Sequence, residues 1–233
     1  MAAGLGSRFG QYTERIPKGL IVCGGIPMIE RSIRTLINCG IERIIIGTGY
    51  HKEKFEELAL RYKQIECVFS PRYVETNSMY TLYNCRQVIG DEDFLLLESD
   101  LVFERRAVSS LLECPKPNIM LITPVTKFQD QYYVEYDSDN QLTKCSTDKT
   151  CLDAKGELVG IHKLSNAFYK DMCADYASKI ESQPKLGYEY EILSMAQSGS
   201  DVYVLNEQGL YWYEIDDTDD LAFAEKNIVP HLK

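Results

Sequence analysis

Histidine, tryptophan and paired cysteine are scarce in this 233-residue chain, which has three histidines, one tryptophan and eight cysteines without a Cys-x-x-Cys pair. Zinc sites and disulfide frameworks need closer spacing, so we expect reduced thiols, most of them small core residues. No histidine has a second histidine nearby in the sequence. This argues against a histidine-based metal site or a catalytic triad.

Long hydrophobic runs and an excess of basic residues are missing as well. No stretch of about 18 apolar residues occurs, and the N-terminal pattern is not that of a signal peptide, so we expect a cytoplasmic protein without membrane insertion. The formal net charge of −10 argues against nucleic acid or an anionic membrane as a partner. An acidic protein that binds a nucleoside triphosphate must gather its few cations in one place.

The first eighteen residues contain such a gathering of cations beside a glycine-containing turn. Gly4 and Gly6 let backbone N–H groups approach a polyphosphate, while Arg8 and Lys18 supply positive charge. The spacing is neither that of a Walker A loop nor that of a dinucleotide fingerprint. A solvated glycine turn could explain the glycines alone, but the added cations favour a phosphate-binding loop.

Carboxylates end two apolar segments that we predict to be strands. Asp100 follows the first, and Asp216 and Asp217 follow the second. Ligands bind outside the carboxyl ends of parallel strands, and carboxylates there can hold Mg²⁺. Asp100 could instead cap a helix. We assign Asp216 as a metal ligand and Asp217 as a structural cap.

Two further groups leave alternatives open. Ser78 opens a predicted helix, where its hydroxyl could contact a base or phosphate or act as capping chemistry. Tyrosines alternate with carboxylates at 132–136 and 188–191, a mixture that suits an ammonium-bearing substrate. Ordinary half-buried strand tyrosines explain the same pattern equally well.

The order of predicted elements indicates an α/β protein. Helices at 27–39, 51–63 and 77–89 alternate with strands at 42–47, 65–69 and 93–98, which predicts a mostly parallel sheet covered on both faces. The second half adds antiparallel strands between 118 and 164, and then helices and two late strands. With no linker or repeat, we predict one domain over 1–233, with a nucleotide-binding half to about 115 and an acceptor- and metal-binding half from about 116.

The opening loop resembles the signature of nucleotidyltransferases that activate sugar phosphates and phospho-amino alcohols. Segments at 77–82, 94–101, 157–161, 184–189 and 212–216 resemble those of 2-aminoethylphosphonate cytidylyltransferases, with phosphocholine cytidylyltransferases as neighbours. The resemblance implies a three-layer α/β/α Rossmann-like fold with a mixed, mostly parallel central sheet and a small antiparallel extension on the substrate side.

The resemblance also implies roles for individual residues. Lys18, Arg8 and Asp100 would be catalytic, and Asp100 and Asp216 would hold Mg²⁺. Glu135, Lys149 and Glu189 would lie near the acceptor. The nucleotide would contact Ala2, Ala3, Gly4, Gly6, Ser7, Arg8, Lys18, Ser78 and Ser99.

The implied activity is a Mg²⁺-dependent transfer of CMP from CTP to 2-aminoethylphosphonate, which forms CMP-2-aminoethylphosphonate and pyrophosphate. Phosphocholine or a sugar 1-phosphate are alternative acceptors, and a homodimer is compatible with the resemblance. An inactive nucleotide-binding module is the alternative from a different class. Loss of turnover on substitution of Lys18 would distinguish the enzyme from the module.

One feature departs from the resemblance. Relatives carry an apolar strand immediately before the glycine loop, whereas Met1 stands where that strand would end. We expect that residues precede Met1 in the natural protein. On that expectation, the chain as written has a truncated first strand, reduced stability and little activity.

Overall fold

The computed structural model describes residues 1–126 and 131–232. Its α-helices are Met28–Asn38 (α1), Lys52–Ala59 (α2), Ser78–Asn84 (α3), Arg86–Ile89 (α4), Arg106–Glu113 (α5), Asn166–Lys179 (α6), Tyr188–Gln197 (α7) and Thr218–Asn227 (α8). Its strands are Val22–Cys23 (β1), Ile26–Pro27 (β2), Ile44–Thr48 (β3), Ile65–Phe69 (β4), Phe94–Leu97 (β5), Leu101–Phe103 (β6), Ile119–Thr123 (β7), Tyr133–Tyr136 (β8), Leu142–Ser146 (β9), Gly156–Leu164 (β10), Tyr203–Asn206 (β11) and Trp212–Glu214 (β12). Short 3₁₀ helices cover Ser7–Thr13, Lys18–Leu20, Lys149–Cys151 and Val229–His231.

A six-stranded mixed sheet forms the centre, in the order β11-β7-β10-β8-β9 with β5 also paired to β10. Strands β7 and β11 are parallel, and β3 and β4 form a separate parallel pair. Strand β10 is antiparallel to β5, β7 and β8. Pairing in the described sheets is therefore less parallel than the sequence analysis expected. The reason is that β10 enters between β5 and β7 with the opposite direction, and the alternation of helices and strands does not reveal this insertion.

Helices pack on both faces of the central strands, as expected for three layers. One buried cluster joins the sheet to α3, α4, α6 and α7, and a second joins it to α1, α2 and α5. A smaller third cluster places Phe9 and Ile21 against Ile215 and Ala224. This third cluster ties the opening loop to the C-terminal helix α8.

Helix α1 illustrates how the sequence sets the element boundaries. Pro27 is extended immediately before the helix, and Gly40 follows it with a φ of 86°. Ile29, Ile33 and Leu36 form the buried face, at the spacing of an amphipathic helix. The predicted helix at 77–89 differs, because it divides at Cys85 into α3 and α4.

Two compositional expectations can be compared with the structure. All eight cysteines are free, and Cys23, Cys85, Cys145 and Cys173 are buried. Among the described helices, none combines the length and the apolar character that a membrane crossing requires. The division of the chain near residue 115 stays a prediction.

Candidate active site

A cleft of about 260 Å³ lies where the opening loop meets the ends of several strands. Its lining comes from segments 1–8, 17–19, 73–81, 98–100 and 214–216. The last two segments follow or end β5 and β12, so carboxylates at strand ends face the loop, as the sequence analysis predicted. We use "the cleft" for this site below.

The opening loop is attached to two strands by its first residues. The Ala2 backbone N–H donates to the Gly47 carbonyl at 2.8 Å, and the Met1 amino group donates to the Leu97 carbonyl at 2.5 Å. Gly6 turns the loop with a φ of 64°, a conformation that side chains disfavour. A Cβ at Gly6 would lie only 3.0 Å from Lys18 Cβ. Glycine at this position therefore lets the loop pack against Lys18.

Lys18 lies between two carboxylates that come from opposite halves of the chain. Its Nζ is 2.5 Å from Asp100 Oδ2 and 2.6 Å from Asp216 Oδ1, so the two carboxylate oxygens are at most about 5 Å apart. Burial alone would lower the pKa of Lys18, but the two negative charges outweigh burial and raise this pKa. The ammonium is therefore charged at neutral pH.

Arg8 reaches the same carboxylate from the solvent side. Its Nη2 is 2.7 Å from Asp216 Oδ1, and its side chain is 53% exposed while that of Asp216 is 6% exposed. Asp217, by contrast, accepts hydrogen bonds from the backbone N–H groups of Asp219 and Asp220. It caps α8, which confirms its assignment as structural.

Three carboxylates converge at the inner side of the cleft. One oxygen from each of Glu98, Asp100 and Glu214 lies within 4.8 Å of the others. Opposite ligands of Mg²⁺ are about 4 Å apart, and Mg²⁺ prefers oxygen donors. The donor set and its spacing therefore fit a divalent cation of this type.

Burial and mutual repulsion raise the pKa values of two carboxyl groups in this cluster. Burial, with the charges of Asp100 and Glu189, raises the pKa of Glu98 to about 8. Burial, with the charges of Glu98 and Asp100, also raises the pKa of Glu214 well above its ordinary value. A cation at this position would stabilise the ionised carboxylates that protons otherwise neutralise.

Glu98 is oriented from behind by a buried pair of rings. The Tyr188 hydroxyl donates to Glu98 Oε1 at 2.8 Å and lies 3.3 Å from His162 Nε2. Burial lowers the pKa of His162 to about 3, so its imidazole is neutral. Tyr188 thus joins a neutral imidazole to the Glu98 carboxyl group.

Glu189 lies beside this cluster at the start of α7. Burial raises its pKa to about 7, and among the described residues no group forms a hydrogen bond with its Oε2 atom. The rings of Tyr132 and Tyr190 meet edge to face with centroids 5.4 Å apart. A Cβ at Gly187 would lie near Glu189, Tyr132 and Ser78, so these groups surround one point next to the cleft.

A family model agrees with this geometry. The model for the MobA-like NTP transferase domain matches residues 1–171. The chain belongs to this family. The matched region contains the glycine loop, Lys18 and Asp100. Glu214 and Asp216 follow it in the chain.

Curated relatives are similar over different lengths. A CMP-5'-(3-aminopropyl)phosphonate synthase of Streptomyces rubellomurinus is 26% identical over 241 residues, which cover 99% of this chain and 38% of that protein. A 2-aminoethylphosphonate cytidylyltransferase of Lancefieldella rimae is 40% identical over 102 residues, 44% of this chain and 42% of that protein. A choline-phosphate cytidylyltransferase of Streptococcus pneumoniae is 38% identical over 91 residues, 39% of each chain. The matches thus span less than half the length of these relatives.

Solved structures match nearly the whole chain. A CTP:phosphocholine cytidylyltransferase from Streptococcus pneumoniae has a TM-score of 0.81 at 24% identity, covering 97% of this chain and 95% of that one. An inositol-1-phosphate CTP transferase from T. maritima has a TM-score of 0.82 at 15% identity, with the same coverage of both chains. These similarities confirm the predicted Rossmann-like nucleotidyltransferase fold.

Most of the sequence-predicted site residues meet in the cleft of this MobA-like domain. Its lining includes Ala2, Ala3, Gly4, Gly6, Arg8, Lys18, Ser78, Ser99, Asp100 and Asp216. Ser7 is exposed at the start of a 3₁₀ helix and is not part of this lining. Glu135 forms an ion pair with Lys144, and Lys149 Nζ lies 5.4 Å from the centre of the Tyr133 ring; neither lines the cleft. The roles given to all of these residues stay predictions.

Sequence reasoning did not select Glu98 or Glu214, and it considered Tyr188 only as part of the tyrosine–carboxylate pattern at 188–191. Glu98 and Glu214 each stand two residues before a selected aspartate, Asp100 and Asp216. Alternate residues of a strand point to one face, so this spacing was the available signal.

Proposed function

We propose that this chain is a cytidylyltransferase that transfers CMP from CTP to a small amine-bearing phosphonate, with 2-aminoethylphosphonate as the preferred acceptor. Family membership supports nucleotidyl transfer, and the names of the curated relatives support CTP and an aminoalkyl phosphonate. The observation that carries the proposal is the juxtaposition of the glycine loop, Lys18 and a buried carboxylate cluster in one cleft.

The proposed step is an in-line displacement at the α-phosphorus of CTP. A phosphonate oxygen of the acceptor forms a bond to this phosphorus, and the bond to the bridging oxygen of the β-phosphate breaks. Pyrophosphate leaves with the electron pair of that bond. The acceptor oxygen is already ionised at neutral pH, so no general base is required, and positioning and electrostatic stabilisation carry the catalysis.

Lys18 and Arg8 are the cations available for this step. Lys18 is charged and held by two carboxylates, so it is pre-positioned to stabilise negative charge that develops on the α-phosphate. Arg8 is more exposed and suits the outer phosphates, which a guanidinium can bind with two parallel hydrogen bonds.

Glu98, Asp100 and Glu214 are the residues that would hold Mg²⁺, and Asp216 is a further proposed ligand. When bound, Mg²⁺ supplies positive charge that neutralises phosphate oxygens. Tyr188 orients Glu98 through its hydrogen bond, and Gln131 Nε2 donates to Glu214 Oε2 at 3.1 Å. These contacts fix the carboxylates before a cation arrives.

An amine-bearing acceptor fits the charge next to the cleft. Glu189 presents a buried oxygen without a hydrogen-bond donor in the described structure, and Tyr132 and Tyr190 supply aromatic faces. A primary ammonium can donate hydrogen bonds to Glu189, whereas the quaternary ammonium of phosphocholine cannot. Phosphocholine stays the second candidate because a choline-phosphate cytidylyltransferase is among the relatives and the same rings can contact a quaternary ammonium.

Pyrophosphate release by the purified chain tests the proposal. We expect release with CTP, Mg²⁺ and 2-aminoethylphosphonate, slower release with phosphocholine, and little with glucose 1-phosphate or with UTP, GTP or ATP in place of CTP. Absence of release with every amine-bearing acceptor would contradict the proposal.

A matched pair of variants tests the acceptor site. Glu189→Gln keeps the shape of the side chain but removes its charge, so we expect the KM for 2-aminoethylphosphonate to rise about tenfold while the KM for CTP stays within twofold, on the scale of one charge-assisted contact. Glu66→Gln is the control, because Glu66 lies on β4, outside the cleft lining, and its replacement should leave both constants unchanged. Equal effects of the two variants would remove Glu189 from the acceptor site.

A further inference from the structure

Gly187 stands immediately before α7, where neither the backbone nor the helix requires a glycine. Its φ of −80° and ψ of 149° are those of extended backbone, a conformation that every residue adopts. Serine, threonine, asparagine or aspartate at this position could supply a capping oxygen to the helix, and Gly187 supplies none. The reason for glycine therefore has to be sought in the space around it.

That space is occupied by the carboxylate of Glu189. A Cβ at position 187 would lie 2.5 Å from Glu189 Oε2, closer than a real Cβ approaches another heavy atom. Glu189 is the second residue of α7, and its carboxylate bends back over the bare Cα of Gly187. The missing side chain at position 187 thus determines where the Glu189 carboxylate can lie.

Two hydroxyl groups point into the same space. Tyr132 Oη would be 3.4 Å and Ser78 Oγ 3.6 Å from a Cβ at position 187, so all three oxygens lie within 4 Å of one point. Ser78 also accepts a hydrogen bond from the Tyr188 N–H at 3.1 Å, and it lines the cleft. The three-oxygen group (Glu189 Oε2, Tyr132 Oη and Ser78 Oγ) is therefore next to the candidate active site.

The three-oxygen group lacks a donor for its charged member. Glu189 is 5% exposed, and its Oε2 atom has no hydrogen-bond partner among the described residues. A buried acceptor without a donor costs free energy, so a ligand that brings a donor and a positive charge would bind favourably. A primary ammonium carries three N–H donors, one for each oxygen, whereas a quaternary ammonium carries none.

We propose that Gly187 is a specificity-determining residue of the acceptor site. By leaving room for Glu189 Oε2 beside the Tyr132 and Ser78 hydroxyls, it selects acceptors that end in a primary ammonium. This inference rests on the proposed cytidylyltransferase function and extends it by assigning the choice of acceptor to a residue without a side chain. Gly187 acts through Glu189, so its replacement should weaken recognition of the ammonium and leave recognition of CTP intact.

Gly187→Ala and Gly187→Ser test this inference with two acceptors. Ethylphosphonate has the phosphonate and the two carbons of 2-aminoethylphosphonate but no amine. We expect both variants to lower the ratio of kcat/KM for 2-aminoethylphosphonate to kcat/KM for ethylphosphonate about tenfold, the scale of one charge-assisted contact, with the KM for CTP within twofold. Gly187→Ser supplies a capping oxygen, so its Tm should not fall, which separates lost recognition from a weakened helix.

Two further variants serve as controls. Gly199 follows the other end of α7 with a φ of 100°, and a Cβ there would meet no atom within 4 Å. Gly199→Ala should therefore strain the backbone and lower Tm while leaving the acceptor ratio unchanged. In the double variant Gly187→Ala/Glu189→Gln, the ratio should be no lower than in Glu189→Gln alone, because both changes affect one interaction.

The outcomes separate this inference from the function on which it rests. If the wild type is active but both Gly187 variants keep its acceptor ratio, the inference is wrong and the proposed function stands. Full additivity in the double variant, or an equal fall of the ratio in Gly199→Ala, would also overturn it. A wild type that releases no pyrophosphate with any amine-bearing acceptor would contradict the proposed function itself, and the inference with it.

Discussion

Lys18 holds together the two carboxylates that the sequence analysis had assigned to the metal. In the described structure its ammonium forms ion pairs with both Asp100 and Asp216, and Asp100 also belongs to the cluster that fits a divalent cation. A metal bound at this cluster would therefore compete with the ammonium for Asp100. A bound triphosphate would relieve this competition, because it would offer Lys18 another anionic partner.

Replacing Lys18 should therefore change turnover and metal affinity in opposite directions. We expect Lys18→Met to lower kcat about 10²–10³-fold, the scale of losing one preorganised charge at the reacting group. In the absence of nucleotide, the same variant should bind Mg²⁺ more tightly, because Asp100 loses its ion pair. Pyrophosphate release and Mg²⁺ titration calorimetry measure the two effects.

Lys18→Arg provides the matched control, because it keeps the charge but not the compact ammonium. Its turnover should lie between those of the wild type and Lys18→Met, with Mg²⁺ affinity near that of the wild type. A parallel loss of turnover and metal affinity in Lys18→Met would instead indicate a damaged fold, and Tm would show it. Unchanged turnover would exclude Lys18 from catalysis, whereas absence of turnover in the wild type, with only a modest loss of nucleotide affinity in Lys18→Met, would support a nucleotide-binding module.

At the scale of elements, the start of α8 positions Asp216. Asp217 caps the helix by accepting from the N–H groups of Asp219 and Asp220, and Asp220 Oδ2 accepts from the Asp216 N–H at 2.9 Å. The Asp216 backbone is thus held to the first turn of α8 by the Asp220 side chain. Loss of the cap should loosen a residue that contacts both Lys18 and Arg8.

We expect Asp217→Ala to reduce the free energy of unfolding by about 1 kcal/mol, the typical contribution of a helix N-cap, and to reduce kcat/KM severalfold. Asp217→Asn keeps a capping oxygen and should restore most of both. Asp219→Ala removes an equal charge without removing the cap, so its effect on stability should be smaller. Urea unfolding and steady-state kinetics test the set, and equal destabilisation by the two alanine variants would contradict a specific role for the cap.

Local sequence patterns predict a helix or strand well where its own apolar spacing or its capping residue determines where it begins and ends. The strand Ile65–Phe69 matches its predicted bounds, because its apolar residues and their flanks mark it in the sequence. The direction of β10 was not predictable in this way, since it depends on pairing with β5 and β7 rather than on its own residues. Glu98 and Glu214 were missed for a similar reason: 116 positions separate them, and only tertiary packing brings their carboxylates together.

At the scale of the whole molecule, several of the many carboxyl groups in this acidic chain are buried, and they make its stability depend on pH. Burial raises the pKa of Glu98 to about 8 and that of Glu189 to about 7, above an ordinary value of 4.5 for each. The folded protein therefore holds more protons than the unfolded chain between about pH 4.5 and 8. Under this linkage, these groups make stability fall as pH rises through that window.

The metal-free protein should consequently lose thermal stability between pH 6.5 and 8.5, and Mg²⁺ should reduce the loss. His162, whose pKa is lowered to about 3, acts in the opposite direction only in the lower part of this range, because an unfolded histidine is half protonated at pH 6.5 and almost wholly neutral by about pH 7.5. The lowered pKa of the Met1 ammonium acts in the opposite direction, but several raised carboxyl groups oppose this single amine. On the proposed function, Mg²⁺ would bind the ionised carboxylates, so its affinity should increase with pH and its binding should release protons. Tm measured across this range, with and without Mg²⁺, tests the prediction.

Glu189→Gln should flatten the profile of Tm against pH for the metal-free protein. A Tm that rises with pH, or a slope that Mg²⁺ leaves unchanged, would show that the carboxylate cluster is not the cation site.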